Sequence, residues 1–274
     1  MHKVNLYMIP QVAALPKLNA SKKFWITLGA LVWLYFVVSN LPAVCGAYAL
    51  SRGGDIAMSG VSGTVWNGRA SLASVKVKGI DHSLGQLTWK LNILSFFTLK
   101  PCALITTHMD NQDFDGNVCF KGKNGVIVKN ATASFPAAVI QPMLPLAIDG
   151  QFNLTIEKLD VDNSQLLGVR GKASWMNAKI FNGSNWMTIG GLGADLVDDG
   201  KKGLSAHIID VNSPLRLDLV GNLPFPTGGN IKGSFALPEA YFRELNAGAW
   251  LSMFAIPQPN DAQGNMVYQV DLNF

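Results

Sequence analysis

Apolar and polar residues alternate along most of the chain beyond residue 50. In residues 87–93 every odd-numbered residue is apolar, and residues 152–156 repeat the alternation until its register slips at Leu159. Residues 215–219 and 266–274 follow the same two-residue period. This period is typical of strands with one buried face, and the slip at Leu159 predicts a β-bulge.

Turn residues and helix signals complete the predicted architecture. Pairs such as Asp199-Gly200 separate the alternating segments, as turns between neighbouring strands require. Residues 136–144 and 238–253 have helical features, and the second segment begins with Pro238 at a first-turn position. The sequence therefore predicts a mainly β chain: a curved antiparallel sheet or sandwich with one or two short covering helices.

One internal similarity bears on the domain organisation. The segment Gly60–Trp66 (GVSGTVW) is echoed by Gly168–Trp175 (GVRGKASW). Two copies fall short of a repeat protein. The echo is compatible with two similar halves of the body, near residues 51–150 and 151–274, and equally with chance in a Gly-rich β chain.

A long apolar segment lies near the N-terminus. Residues 24–50 contain no charged side chain, and about 20 apolar residues are enough to cross the hydrocarbon core of a membrane. We predict a single transmembrane helix over residues 24–44. Lys22 and Lys23 precede it, so the positive-inside rule leaves residues 1–23 in the cytoplasm and translocates residues 51–274.

A cleaved signal peptide is the alternative interpretation of this segment. Ala47-Tyr48-Ala49 has the small-x-small form of a cleavage site. The 23 residues before the apolar segment are long for the start of a signal peptide, which favours an uncleaved anchor. Both interpretations place residues 51–274 on the same side of the membrane.

Charge is distributed unevenly along the chain. The first 50 residues contain four of the 22 Lys and Arg residues and none of the 18 Asp and Glu residues. Residues 51–274 therefore carry 18 charges of each sign and no net charge. A nucleic-acid-binding protein carries its basic excess on the folded part, so we predict no nucleic-acid partner.

The sequence offers no set of catalytic residues. Its four His residues are not spaced as metal ligands, and no nucleophile elbow, phosphate-binding loop or zinc-protease motif is present. We therefore predict no enzymatic activity, no cofactor and no metal site.

Two cysteines are disulfide candidates. Cys102 and Cys119 lie in segments that would pair across a hairpin. In an oxidising compartment such a pair forms a disulfide, which stabilises the fold by about 3 kcal/mol in the chain-entropy estimate. Two buried free thiols are the alternative.

A Gly-rich segment carries the most specific motif of the chain. Its residues follow the pattern Gly-Thr-x-Trp-x-Gly-x-Ala: Gly63, Thr64, Trp66, Gly68 and Ala70. This motif resembles the type II secretion system protein N family, also called general secretion pathway protein N. The Trp-x-Leu segment at 89–91 and the segments 146–156 and 171–175 are similar to further parts of that family.

The resemblance implies a non-catalytic accessory component of the machine that moves folded proteins from the periplasm across the outer membrane. It implies a protein of the inner membrane with a β-rich periplasmic domain. Its partners would be the inner-membrane platform subunits or the secretin. Within the motif, Trp66 either packs in the sheet core or, with Arg69 beside it, faces a partner.

A second hypothesis is a periplasmic lipid-binding or lipid-transfer protein of the AsmA-like kind, whose sheet lines an apolar groove. Such a groove leaves an apolar face larger than the few hundred Å² usual for exposed patches. Co-purified lipid would favour this hypothesis, and co-isolation with platform subunits would favour the first. The two functions are compatible with each other.

Overall fold

The computed structural model divides into two compact units, residues 1–40 and 41–274. The described residues are 22–77, 79–97, 100–122, 124–143, 147–163, 165–181, 183–200, 203–224, 228–244, 248–252 and 255–273. Residues 1–21, which form most of the predicted cytoplasmic segment, and Phe274 therefore lie outside the described residues.

The described part of the first unit is one apolar helix, α1 (Lys22–Ser39). Its 18 residues extend about 27 Å at the α-helical rise, close to the thickness of a hydrocarbon core. It is the one helix among the described residues with the length and apolar composition to cross a membrane. The predicted segment 24–44 extends beyond it, because α1 ends at Ser39.

A proline separates α1 from the next helix. Pro42 has no backbone N–H to continue a helix, and it instead precedes α2 (Ala43–Ser51) as its N-cap. Ala43 and Ala47 of α2 are buried within the second unit. The last two residues of the predicted transmembrane segment therefore belong to the helix α2 of that unit.

The described residues of the second unit form one antiparallel sheet of fifteen strands. The strands are β1 (Ile56–Ser59), β2 (Ser62–Gly63), β3 (Asn67–Val77), β4 (Ile80–Asn92), β5 (Cys102–Met109), β6 (Gln112–Lys121), β7 (Gly125–Pro136), β8 (Ile148–Asp162), β9 (Gln165–Phe181), β10 (Trp186–Asp198), β11 (Gly203–Val211), β12 (Arg216–Pro224), β13 (Asn230–Leu237), β14 (Ala255–Gln258) and β15 (Met266–Asn273). From β3 to β13 every strand pairs with its neighbour in sequence, β1 lies outside β3, and β15 and then β14 follow β13. The predicted mainly β, antiparallel architecture is confirmed.

Short helices lie in the connections between strands. The predicted helical segment 238–253 contains α4 (Glu239–Glu244) and α5 (Gly248–Leu251). Residues 245–247 and 253 lie outside the described residues. Within the segment 136–144 the chain forms two 3-10 turns, Ala137–Val139 and Gln141–Met143. A four-residue helix, α3 (Ile93–Phe96), follows β4.

One face of the sheet is apolar across many strands. Phe135 of β7 lies opposite Phe152 of β8, which lies opposite Trp175 of β9, and the rings stack with centroids 5.7 and 5.2 Å apart. Further along the sheet, Phe235 of β13 stacks on Tyr268 of β15 at 5.4 Å. Side chains of one parity share a face of a strand, so these rings belong to one continuous surface.

Helices α4 and α5 cover this face in the C-terminal half. Leu237 and Leu251 are 1% and 2% exposed, and they belong to a buried cluster with Tyr268. Phe242 of α4 stacks on Tyr268 with ring centroids 6.2 Å apart. The main buried core of the described chain therefore lies between these short helices and the last strands.

The predicted bulge is present, whereas one predicted strand residue is not in a strand. The register between β8 and β9 shifts between Ile156 and Lys158, so that Glu157 is the extra residue. The alternation of residues 87–93 holds up to Leu91, but Ile93 begins α3 because Asn92 caps that helix.

The two Gly-rich segments that resemble each other occupy different kinds of structure. Gly60–Trp66 contains β2 and the turns on either side of it, whereas Gly168–Trp175 lies wholly within β9. The sheet also continues through residue 150, which is part of β8. A division into two similar halves stays a prediction.

Cys102 and Cys119 lie directly opposite each other on β5 and β6, with Cα atoms 4.0 Å apart, and the structure joins them in a disulfide. Cys45, on α2, is a free and exposed cysteine. The bridge closes the loop that contains the β5–β6 hairpin.

We predict that this disulfide forms in the exported protein. The double variant Cys102→Ala/Cys119→Ala should lower the free energy of unfolding by about 3 kcal/mol, because its unfolded chain gains loop entropy. Thermal denaturation with and without reductant checks this, and Cys45→Ala is the control that should change nothing. Free thiols at both positions in peptide mapping of protein purified without reductant would contradict the prediction.

Candidate functional site

The N-terminal half of the apolar sheet face carries an open groove. Its cavity has a volume of about 540 Å³, within the range of about 300–1,000 Å³ typical of small-molecule sites. It lies between α2 and the strands β1 and β3–β7 of the second unit. The lining residues are Gly46, Ala47, Leu50, Ile56, Met58, Val65, Ala73, Val75, Leu84, Leu87, Trp89, Leu91, Ala103, Ile105, Thr107, Gln112, Asp113, Phe114, Phe120, Ala133, Ser134, Phe135 and Val139.

The strands supply the floor of this groove by simple alternation. Leu87, Trp89 and Leu91 of β4 share one face, as their two-residue period predicts, and all three line the cavity. Ile105 on the next strand lies opposite Trp89 and lines it as well. These large side chains are only half-buried, so the groove floor is accessible from outside.

The helix α2 forms one wall of the groove. Gly46, Ala47 and Leu50 line the cavity from this helix. A Cβ atom at Gly46 would lie 3.4 Å from Val65 Cγ2, so the small residues of α2 allow a close approach to the sheet. The small side chains of α2 therefore cover the apolar sheet face only partly, whereas α4 and α5 bury a cluster beneath them.

The Gly-Thr-x-Trp-x-Gly-x-Ala motif holds the indole of Trp89 in the groove. Gly68 lies directly opposite Trp89 in the register of β3 and β4, and a Cβ atom at Gly68 would lie 2.3 Å from Trp89 Cζ2. Trp89 Nε1 donates to the backbone oxygen of Val65 at 2.9 Å. The motif loop thus gives the indole both its space and its hydrogen-bond acceptor.

The first two residues of the motif shape its tight turn. Gly63 has φ 93°, and a Cβ atom there would lie 2.5 Å from the Asn67 backbone oxygen. Only glycine fits this position without strain. Thr64 Oγ1 accepts a hydrogen bond from the Asn67 backbone N–H at 3.2 Å, and Ala70 is 2% exposed below the loop.

The two predicted partner-binding residues lie on different sides of this loop. Trp66 is in the turn between β2 and β3 rather than on a strand, is half-buried, and contacts Phe96 edge-to-face with ring centroids 5.9 Å apart. Arg69 is exposed on the face of β3 opposite to Gly68 and Ala70, and its Nε donates to Ser62 Oγ at 3.0 Å. A role for either in partner binding stays a prediction.

Three polar lining residues near the β5–β6 turn, Gln112, Asp113 and Ser134, are engaged in structural contacts. Gln112 Nε2 donates to the backbone oxygen of Ser83 at 3.1 Å, and Asp113 pairs with His108 Nδ1. Ser134 Oγ donates to Asn153 Oδ1 at 2.9 Å. Within the described ranges, no three His, Cys, Asp or Glu side chains come together as ligands for a metal ion. The remaining lining is apolar, which suits an apolar ligand.

A comparison with known families shows which family this chain belongs to. The family model described as type II secretion system (T2SS), protein N, matches residues 55–263, which cover most of the second unit. The chain belongs to the type II secretion system protein N family. Searches of curated proteins and of solved structures give no significant match.

Membership of the protein N family makes the chain a component of the type II secretion system. The matched range contains the motif loop, Trp89 and every strand that lines the groove. The helix α2 precedes the matched range, so one wall of the groove comes from outside it.

A second segment of family-like sequence has a similar structural explanation. Gly150 has φ 121°, and a Cβ atom there would lie 2.6 Å from the Met176 backbone oxygen. This close approach lets Trp175 Nε1 donate to the backbone oxygen of Asp149 at 3.1 Å. The Asp149 side chain accepts from Lys179 Nζ at 3.1 Å, and this hydrogen bond lowers the pKa of Asp149.

Sequence reasoning missed the partner of Gly68 and the role of α2. Gly68 and Trp89 were both identified as parts of motifs, but their pairing depends on the register of β3 and β4. The signal for α2 was Pro42 inside the uncharged segment, because a proline often marks the start of a new helix.

We predict that Gly68→Ala destabilises the protein by displacing the Trp89 indole. The free energy of unfolding should fall by about 1–3 kcal/mol, as for other overpacked sites. Gly168→Ala is the matched control, because a Cβ atom added at that strand glycine would have no neighbouring atom nearer than 4.0 Å. Thermal denaturation followed by tryptophan fluorescence measures both, and equal stabilities of the two variants would contradict the packing argument.

Proposed function

We propose that this chain is a single-pass inner-membrane component of the type II secretion system with a structural, non-catalytic role. The helix α1 spans the membrane, residues 1–23 face the cytoplasm, and residues 51–274 form the periplasmic domain. The observation that carries this proposal is the match of residues 55–263 to the protein N family, in a chain whose α1, N-terminal to the match, is an apolar helix of spanning length. The positive-inside rule supports the orientation.

The helix α2 favours an uncleaved anchor over a signal peptide. Cleavage after Ala49 would remove Gly46 and Ala47, which line the groove, and Ala43, which is 1% exposed in the second unit. The sheet body would lose a wall that is packed on it. An intact N-terminus of the purified protein, read by mass spectrometry, is the outcome that this argument expects.

We propose that the exposed face around Arg69 contacts other secretion components, the platform subunits or the secretin. A photo-crosslinking amino acid at position 69 in cells should yield adducts that mass spectrometry assigns to one of these subunits. The same substitution at Arg170 is the matched control, because Arg170 is an exposed Arg in the similar Gly-rich segment on β9. Exposed side chains outside an interface give no specific adduct.

Two outcomes would contradict this assignment. Equal adducts from positions 69 and 170 would contradict a specific contact at the exposed face around Arg69. A reporter enzyme fused after the sheet that is active only in the cytoplasm would overturn the topology itself. Loss of secretion in cells that lack the chain would support its membership in the working machine.

AsmA-like lipid binding or transfer is the second candidate function, and the apolar groove specifically favours it. A cavity of about 540 Å³ lined mainly by Leu, Ile, Val, Met and aromatic side chains fits an acyl chain. Each methylene group that leaves water contributes about 0.8 kcal/mol. Within the described residues, α2 is the one α-helix that packs against this half of the sheet face.

We predict that Ala103→Trp blocks acyl-chain binding. Ala103 is 5% exposed and lines the groove, so an indole there fills the cavity. Leu104→Trp is the matched control, because Leu104 is the next residue of β5, points to the other face and is 38% exposed.

The measurement uses the full chain in nanodiscs that contain a phospholipid with a photoreactive acyl chain. Adducts on peptides from β4–β7 should appear in the unmodified protein and in Leu104→Trp, and they should be lost in Ala103→Trp. Adducts on α1 report the anchor independently. Adducts on α1 alone in the unmodified protein would contradict lipid binding and leave the anchor intact.

A further inference from the structure

The turn after β4 exposes a cluster of apolar side chains. We call residues Ile93–Phe97, which contain α3, the apolar turn. Leu94 is 74% exposed and Phe97 is 84% exposed, while Ile93 and Phe96 are 55% and 43% exposed. Water-facing Leu and Phe side chains in one group mark a surface that contacts an apolar partner.

The apolar turn has a defined conformation rather than a loose one. Asn92 Oδ1 accepts a hydrogen bond from the backbone N–H of Leu94 at 3.1 Å and caps α3. Ser95 is buried, and its Oγ accepts from the backbone N–H of Cys102 at 2.8 Å. Polar contacts at the base of the turn therefore direct its apolar side chains outward.

Three other described turns of the same sheet have polar residues instead. The β5–β6 turn contains Asp110 and Asn111, the β8–β9 turn contains Asn163, and the β10–β11 turn contains Asp199 and Gly200. Asn111 and Asn163 adopt positive φ angles, which suit Asn in tight turns. The β4–β5 turn is thus more apolar than these three turns.

The apolar turn lies beside the residue at which the second unit begins. The backbone oxygen of Leu41 accepts from the Val65 N–H at 2.9 Å, and that of Trp66 accepts from the Leu91 N–H at 2.8 Å. The Trp66 ring contacts the Phe96 ring. We call this side, where β4 ends and β5 begins, the Leu41 end of the sheet. Along the chain, Leu41 follows the last residue of α1, Ser39, by two positions.

We propose that the apolar turn inserts into the headgroup region of the membrane that α1 spans. This inference rests on the proposed anchor. If α1 spans the bilayer, Leu41 lies near its surface, because it follows the end of α1 by two residues. Aromatic and aliphatic side chains enter an interface to a depth of about 5–10 Å without crossing it. Trp66 and Phe97 are residue types found on segments that insert to that depth.

The charges around the turn suit a lipid surface. Residues 82–109 contain no Asp or Glu, and their two Lys residues, Lys90 and Lys100, flank the turn on both sides and are exposed. Lysine side chains next to an inserted segment bind anionic headgroups. A protein partner is the less suitable occupant, because a stable protein interface takes about 800 Å² from each side, more than a five-residue turn provides.

The test is fluorescence quenching on the full chain in nanodiscs of phosphatidylethanolamine and phosphatidylglycerol. With Cys45→Ser as background, a cysteine introduced by Phe97→Cys carries an environment-sensitive dye. Lipids with a spin label at a shallow acyl position should quench this dye several-fold. Trp186→Cys is the matched control, since Trp186 is a 51% exposed aromatic residue at the opposite end of the strands and should show no quenching. Leu34→Cys reports whether α1 is in the bilayer.

Each pattern of quenching gives a decision. Quenching at positions 34 and 97 but not at 186 supports the insertion. Quenching at 34 alone overturns the insertion and leaves the anchor standing, while no quenching at 34 and 97 overturns both. Equal quenching at 97 and 186 contradicts a contact confined to the turn. A blue-shifted dye at 97 that lipid quenchers do not reach assigns the turn to a protein surface instead.

A second set of variants separates the apolar side chains from the mere position of the turn. With the dye at Ile93→Cys, the change Leu94→Gln/Phe97→Gln should abolish the quenching, because polar side chains stay in water. Trp186→Gln should leave it unchanged. Retained quenching after the double change would overturn the proposal that these side chains carry the contact.

Discussion

A sheet with one apolar face has to cover that face, because exposed hydrocarbon costs free energy in proportion to its area. In the C-terminal half, α4 and α5 provide the cover, and Leu237 and Leu251 are almost fully buried beneath them. In the N-terminal half the only helix against the face, within the described residues, is α2, and it leaves a cavity of about 540 Å³. The same strand pattern therefore produces a packed core in one half and an open apolar groove in the other.

The Gly-Thr-x-Trp-x-Gly-x-Ala motif is explained largely by one side chain of this groove. The Trp89 indole needs a neighbour without a Cβ atom and an acceptor for its N–H group, and Gly68 and the Val65 backbone oxygen meet these needs. The pattern Gly-Thr-x-Trp-x-Gly-x-Ala thus contains residues that the close approach of β3 to β4 requires. Its second tryptophan contact, between Trp66 and Phe96, connects the same loop to the apolar turn. Packing inside the groove and exposure at the turn are parts of one local structure.

The two-residue alternation and the turn residues predicted most of the strands. The contacts between strands depend on their pairing register, which these patterns do not give. The alternation around Trp89 and the bulge at Glu157 follow from residue parity alone. The period also extended to Ile93, where the Asn92 side chain instead caps a helix and ends the strand. Gly68 and Trp89 are 21 positions apart, and only the pairing of β3 with β4 brings them together. The predicted transmembrane segment 24–44 extended past Pro42 into α2. Hydropathy does not distinguish a helix in lipid from one that lies on an apolar sheet.

Along the chain, the proposed anchor leads directly to Leu41, at the end of the sheet where the apolar turn lies. Only Asn40, Leu41 and Pro42 separate α1 from α2 along the chain, and α2 is a wall of the groove. A single tether does not by itself fix the orientation of a body at a membrane, so a partner that binds pays an entropic cost to fix it. A second contact with the bilayer at the apolar turn would remove that freedom in advance. Membrane contact and partner binding would then support each other, because a body whose orientation is already fixed loses less freedom when a partner binds.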